Sequence, residues 1–272
     1  MKYVYAKLSR AGFCNLLYPW ARAEVFAHRH NLQVLNPRWV RFLRLGVWFR
    51  REYHKRYYGG MMTSVGCISG IRRMVALLFG RKTVCDNAMF SEENPDFKCD
   101  VVIFEGMVGK MEPFLEYQEY VRDRFIQMVN PKLMDESKVD GPYIGVHIRR
   151  GDFCLTDKLK TSDEWFVKAT RVALAQPEAM NVRTIRIFSD GYPEQLSFLV
   201  KAFPEFNVVI SPKAPAVCDL LALSKSTVLV ASPQSTFSAW AVFLGQMPSV
   251  WSGEHSVDKM YKRESKVILL RD

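Results

Sequence analysis

Two rhythms of apolar and polar positions run along the chain. From Tyr143 to Ile148 they alternate with a period of two, with Ile144, Val146 and Ile148 on one face and Tyr143, Gly145 and His147 on the other, which predicts a strand. After it the period switches repeatedly between helix and strand. The spacing predicts a helix over about 162–176, a strand over 184–188, a helix over 192–202 and a strand over 207–210. A helix over 217–224, a strand over 227–230 and a helix over 236–246 follow, and 266–270 reads as a last short strand or helix. Strands that alternate with helices build a parallel sheet covered on both faces.

The first half shows the same logic less regularly. Lys2 to Leu8 alternates as a strand, Ser9 to Asn15 is a small-residue turn, and Leu16 to His30 has helical apolar spacing. A second strand is expected near Gln33–Pro37, one or two helices over 63–79, and short strands at Arg81–Cys85 and Val101–Gly106. Residues 91–100 are polar, and a helix is expected over 113–129. The turn at 9–15 fits an ordinary strand-to-helix connection. It equally fits an anion site made of backbone N–H groups at a helix N-terminus. Residues 131–142 are polar and carry two prolines, which reads as a linker. The expected division is a Rossmann-like domain over 1–135, on the acceptor side, and a second over 140–272 that binds the donor.

Composition narrows the class. At 272 residues, with 49% hydrophobic and 24% charged content, the chain is an ordinary globular protein with room for two cores. The six cysteines form no Cys-x-x-Cys pair and no metal-ligand spacing with the five histidines, so reduced thiols in a cytoplasmic protein are expected. No apolar run reaches the ~20 residues that span a bilayer, and Met1 to Ala6 reads as a strand, not a signal peptide.

The net charge of +10 favours anionic partners: a nucleotide sugar, an acidic membrane or a nucleic acid. Segment 38–58 concentrates that charge, with seven Arg and Lys among seven aromatic residues against the single acid Glu52. It fits a basic helix packing its aromatics on the core, a peripheral contact with an anionic membrane on its inner face, or a single-stranded nucleic-acid surface.

Candidate chemistry sits at strand ends. The strand 143–148 breaks into Arg149, Arg150, Gly151 and Asp152. Alternation places His147 and Arg149 on one side and turns Arg150 to the other or into the loop. A guanidinium presents a rigid fork of donors suited to phosphate oxygens, and an acid close behind can hold it in place. Ile185-Arg186-Ile187-Phe188-Ser189-Asp190-Gly191 ends a second strand in the same way. The third segment holds Asp219, then strand Val228-Leu229-Val230, then Ser232-Pro233-Gln234-Ser235-Thr236-Phe237-Ser238-Ala239-Trp240. Ser235 and Thr236 fall between strand and helix, where hydroxyls cap the helix or bind phosphate. No Asp-x-Asp occurs in a metal-binding context, and Asp135-Glu136 and Asp163-Glu164 read as solvated helix starts. A metal-independent mechanism is therefore expected, with no metal ligands and no cofactor.

His-x-Arg-Arg-Gly-Asp, then Phe-Ser-Asp, then Asp-Leu with Ser-Thr-Phe-Ser-x-Trp, in this order, resembles the GDP-fucose-dependent fucosyltransferases. Within them it is most similar to the α-1,2-fucosyltransferases of glycosyltransferase family 11. Gly12-Phe13-Cys14-Asn15 resembles that family's N-terminal Gly-x-Gly-Asn, so the motifs span residues 12–240. The resemblance implies an α/β, GT-B-like enzyme of two Rossmann-like domains with parallel sheets. Its reaction would be inverting transfer of L-fucose from GDP-β-L-fucose to a glycan hydroxyl, giving an α-1,2 linkage on a galactoside. By position, Arg149 would grip the pyrophosphate as the main catalytic group, with Asp152 beside it. His147 and Asp219 would address the guanine. Ser235, Thr236 and Phe237 would line the phosphate and sugar, and Gly12 and Asn15 would face the donor from the first domain. Arg150, counted with the donor-binding set, would with Asp152 mainly shape the loop. The acceptor would be a glycan or lipid-linked oligosaccharide of polysaccharide biosynthesis, and no nucleic acid is expected.

The sequence departs from the family at four places: Cys14 for glycine, Leu16 for glutamine, Gly191 for a second aspartate and Ala239 for tryptophan. These bear on the acceptor more than on the donor. No residue stands out as a base; Asp157 and Glu105 are the weak candidates. Two alternatives remain open. One is the same fold with another GDP-sugar or an α-1,6 linkage, since Rossmann-like sheets serve many chemistries. The other is a non-catalytic basic protein that binds membrane or nucleic acid.

Overall fold

The computed structural model describes residues 2–9, 11–39, 60–93, 98–135, 137–151, 161–212, 214–253 and 267–270. They divide into two compact units, one ending at Pro131 and one beginning at Lys132.

The first unit holds β1 (Tyr3–Lys7), α1 (Phe13–Arg29), β2 (Gln33–Leu35), α2 (Gly70–Phe79), β3 (Lys82–Val84), α3 (Asn87–Ser91), β4 (Val101–Glu105) and α4 (Gln118–Met128). Its sheet runs β2-β1-β4-β3, with every pair parallel. Apolar side chains cover most of α1, so the helix is buried along nearly its whole length, from Phe13 to Ala27. Two charges are buried with it. Glu24 accepts from Trp20 Nε1 at 3.2 Å and from Arg124 Nε at 2.9 Å. Burial lifts its carboxyl above the ordinary value although Arg124 opposes the shift. The Arg22 guanidinium lies 5.2 Å from the Phe104 ring centroid and 5.7 Å from that of Phe90.

The expected helix over 113–129 starts instead as a 3₁₀ turn, Glu112–Tyr117, because Phe114 leaves helical geometry at φ −126°. The polar stretch from 91 follows directly on α3, whose N-cap Asp86 accepts from Met89 N–H.

The short helix α5 (Pro131–Met134) spans the boundary, and the second unit holds β5 (Tyr143–Ile148), α6 (Asp163–Leu174), β6 (Thr184–Ser189), α7 (Ser197–Ala202), β7 (Asn207–Ile210), α8 (Ala216–Leu223), β8 (Val228–Val230), α9 (Thr236–Gly245), β9 (Ser249–Ser252) and β10 (Val267–Leu270). Its six strands run β10-β9-β8-β5-β6-β7, again all parallel. All six positions of β5 are buried, as befits a central parallel strand covered on both faces. Ile144, Val146 and Ile148 pack with Ile185, Ile187, Val228, Val230 and the α6 residues Phe166, Ala169 and Ala173. Gly145 is required there: a Cβ would stand 2.0 Å from Ser226 Oγ. The expected helix over 192–202 is split into a 3₁₀ turn at Pro193–Leu196 and α7. Strand β9 was not expected from the apolar pattern; it is only four residues long and begins and ends in serine.

Both sheets reverse direction beside their first strand. In the second unit the chain builds β5, β6 and β7 outward, then returns to place β8 on the other side of β5. In the first, β2 lies on one side of β1 and β4 on the other. Open α/β sheets bind ligands at such reversals, beyond the carboxyl ends of the strands.

Candidate active site

The carboxyl end of β5 lies at the reversal of the second sheet, flanked by the ends of β6 and β8. Register fixes this: Ile148 pairs with Ser189, and Val146 with Val230. Arg149, Arg150 and Gly151 therefore emerge between Asp190 and Ser232.

These two residues hold the loop backbone. Asp190, 3% exposed, accepts from Arg150 N–H at 2.7 Å and from Gly151 N–H at 3.1 Å through one carboxylate oxygen. Its second oxygen stands 3.9 Å from Arg149 Nε. Ser232 Oγ accepts from Arg149 N–H at 3.3 Å. A buried carboxylate engaged by donors in this way fixes geometry, because releasing it would leave charge and N–H groups unsatisfied.

The two arginines diverge as strand alternation predicts. Arg149 keeps 22% of its side chain exposed at the sheet edge. Arg150 is 4% exposed. Its guanidinium pairs with Asp163, donates to Thr161 O at 2.8 Å, and lies 5.6 Å and 5.7 Å from the Phe166 and Phe198 ring centroids. Its side chain is thus engaged in holding the loop to α6 and α7, in keeping with the expectation that it mainly shapes the loop. Gly191, one of the departures from the resembled family, packs on this arginine: a Cβ there would come within 2.8 Å of Arg150 Cβ.

The third segment completes the edge. Between β8 and α9 the chain turns through Gln234 at φ 55°, a left-handed conformation uncommon for residues other than glycine. Ser235 is the N-cap of α9 and its side chain accepts from Ser238 N–H. Ser238, fully buried, joins the elements: its Oγ accepts from Ser232 N–H at 3.1 Å and lies 2.7 Å from His147 Nδ1. Which of that last pair donates follows the imidazole tautomer. The Phe237 ring sits 5.1 Å from the His147 ring. Thr236, first in the helix, and Asp219 in α8 are half-buried.

His147, Arg149, Ser235 and Phe237 are thus drawn to one edge, while Asp152 and Asp157 lie outside the described residues. So does segment 40–58. Of the basic aromatic stretch, Trp39 is buried, with ring centroids 6.3 Å from Phe13 and 6.2 Å from Trp20. Asp190, Ser232 and Ser238 carry the geometry of the site but had been given no role. The signal for Asp190 was present: an acid ending one strand beside a strand that ends in two arginines.

In the first unit the equivalent reversal is occupied by the turn at Gly12. Gly12 is the N-cap of α1 with extended backbone, its carbonyl accepts from Asn15 N–H at 3.0 Å, and no side chain caps the helix. Glu105, at the end of β4, forms an exposed ion pair with Lys7 at 2.8 Å. Among the described residues no group of three His, Cys, Asp or Glu side chains is placed to hold a metal ion, and no helix is long and apolar enough to cross a membrane.

No family model and no curated protein matches the chain. Solved structures do. The fucosyltransferase NodZ from Bradyrhizobium superposes with a TM-score of 0.59 over 91% of this chain and 94% of its own, at 16% identity. POFUT1 in complex with GDP superposes with a TM-score of 0.56 over 92% and 98%, at 12% identity. The fold is GT-B-like. Its two Rossmann-like units of parallel strands extend over nearly the whole of both comparison chains, although few residues are shared.

Proposed function

We propose that the protein is a GDP-fucose-dependent fucosyltransferase whose donor is held by the second unit. The observation that carries this reading is the placement of Arg149 at the reversal of the second sheet, its backbone N–H held by Ser232 and those of the next two residues by Asp190, near the capped N-terminus of α9. A helix N-terminus and a guanidinium together suit a diphosphate. The fold supports the same reading, since NodZ has been crystallised with GDP and POFUT1 with GDP-fucose.

In the reaction, the bond between fucose C1 and the β-phosphate oxygen breaks as the acceptor oxygen attacks C1 from the opposite face. The β-linked donor becomes an α-linked product, GDP leaves, and the proton of the acceptor hydroxyl passes to solvent. Negative charge grows on GDP as the bond lengthens. Arg149 and the N–H groups that open α9 stabilise it, each well-placed donor contributing about 3–4 kcal/mol. Asp219 accepts from the guanine N–H donors, while His147, held by Ser238, orders the base side. Thr236 and Phe237 line the phosphate and sugar, and Asp152 stands beside Arg149. Gly12 and Asn15 offer backbone from the first unit, which receives the glycan or lipid-linked acceptor. The transfer runs without a metal ion.

The linkage is taken as α-1,2 on a galactoside. An α-1,6 linkage is the second reading, favoured by the fold shared with NodZ, an α-1,6-fucosyltransferase. Incubation with a panel of GDP-sugars, with and without simple galactosides and in the presence of EDTA, tests all of this through GDP release and product linkage. GDP-fucose is expected to be consumed, and an acceptor is expected to speed its consumption. Preference for another GDP-sugar would overturn the donor assignment.

A further inference from the structure

Helix α2 (Gly70–Phe79) is built inside out. Ile71, Met74, Val75, Leu78 and Phe79 are 76%, 50%, 48%, 63% and 80% exposed. At about 100° per residue these five fall on one continuous arc, with exposed Arg72 at its border. The opposite arc carries Arg73, 8% exposed, and Ala76. Arg73 donates from Nε to Asn36 O at 2.7 Å and from Nη2 to Tyr5 OH at 3.3 Å, with its guanidinium 5.4 Å from the Tyr5 ring centroid. A helix that faces water shows the reverse, its charges outward and its apolar stripe on the core. The inverted pattern calls for an apolar cover.

Charge and size choose the cover. From Gly60 to Cys85 the chain has no Asp or Glu, and exposed Arg72, Arg81 and Lys82 flank the stripe. Arg81 is paired with Asp100 at 3.1 Å, so Arg72 and Lys82 supply the excess positive charge. A second copy of this face would bring like charges together. The stripe is also only five apolar residues on one ten-residue helix, fewer than the roughly 20–30 residues a side that a stable protein interface engages. An anionic bilayer needs no such area. It accepts apolar side chains at the acyl boundary and cations at its phosphates.

We propose that α2 is an interfacial helix that seats the first unit on an anionic membrane. Ile71, Met74, Val75, Leu78 and Phe79 enter the acyl boundary, while Arg72 and Lys82 meet the headgroups. This differs from segment 38–58 as the contact and is independent of the glycosyl-transfer reading.

Flotation with vesicles of equal parts phosphatidylcholine and phosphatidylglycerol tests it, without donor or acceptor. The protein is expected to float with these vesicles, less at high salt, and not with phosphatidylcholine alone. The double variant Leu78→Gln/Phe79→Gln is expected to bind at least about tenfold more weakly, since it removes two apolar side chains from the buried face. Its melting temperature should be unchanged, because both side chains already face water. Arg72→Gln/Lys82→Gln should lose the preference for phosphatidylglycerol. The proposal is overturned if the protein stays unbound, if the Leu78/Phe79 variant binds like the parent, or if sedimentation in lipid-free buffer shows a dimer that this variant dissolves. GDP affinity of the same variant reports on the transfer reading separately and should not change.

Discussion

Both sheets are parallel and reverse direction beside their first strand, and they differ in what they place at that reversal. In the first, the helix following β1 opens at Gly12 with backbone groups and no side-chain cap, and a Cβ at Gly12 would meet nothing within 4 Å. In the second, the same location holds a guanidinium, a buried carboxylate, a capped helix and a linked set of serines around His147. Topology supplies the cleft edge in both. Among the described residues the first edge carries an exposed Lys7–Glu105 pair, whereas the second carries a guanidinium beside a buried carboxylate that holds the loop backbone. A diphosphate is most of the charge of a nucleotide sugar, and this contrast is what supports the proposal that the second unit holds the donor.

Variants can break this contrast. Asp190→Ala should have the largest effect. It strands the N–H groups of Arg150 and Gly151, at about 1–3 kcal/mol for each buried group left unpaired. Transfer should fall about a thousandfold or more, and the melting temperature by several degrees. Asp190→Asn keeps an acceptor oxygen, so most of the melting temperature should return while transfer stays impaired. Arg149→Ala should lower transfer about 10²–10³-fold with melting and circular dichroism unchanged, because its guanidinium is partly exposed and not packed in the core. Near-normal turnover in that variant would remove the catalytic role of residue 149. Ser238→Ala uncouples His147 from Ser232. It should cost about 1 kcal/mol of stability in urea titration, with a modest loss of GDP affinity. Gly12→Ala should be almost silent in both stability and GDP binding, since the added methyl enters open space at an ordinary φ of −62°. A loss there comparable to that of Arg149→Ala would collapse the distinction between the two sheets.

Much of the second unit was legible in advance. β5 runs over the expected 143–148 and β7 over 207–210, because a central parallel strand bounded by polar breaks leaves little choice of ends. Strand β9 escaped notice because four residues hold too few apolar positions to set a period. The expected helix at 113–129 lost its first turns to Phe114, whose side chain goes to the core at the expense of helical backbone. In the site, alternation separated Arg149 from Arg150 correctly. What spacing could not reveal was that Asp190 would accept from the neighbouring strand's loop, since that depends on β5 and β6 lying in register. The inverted polarity of α2 was hidden for a similar reason. Its apolar spacing is that of any amphipathic helix, and only packing tells which face looks outward.

The most direct test is the structure of the protein crystallised with GDP. The account predicts the diphosphate within hydrogen-bond distance of the Arg149 guanidinium, at the N-terminus of α9, with Asp190 still holding the loop backbone. A diphosphate anchored at the Gly12 turn, or anywhere remote from residue 149, would contradict it.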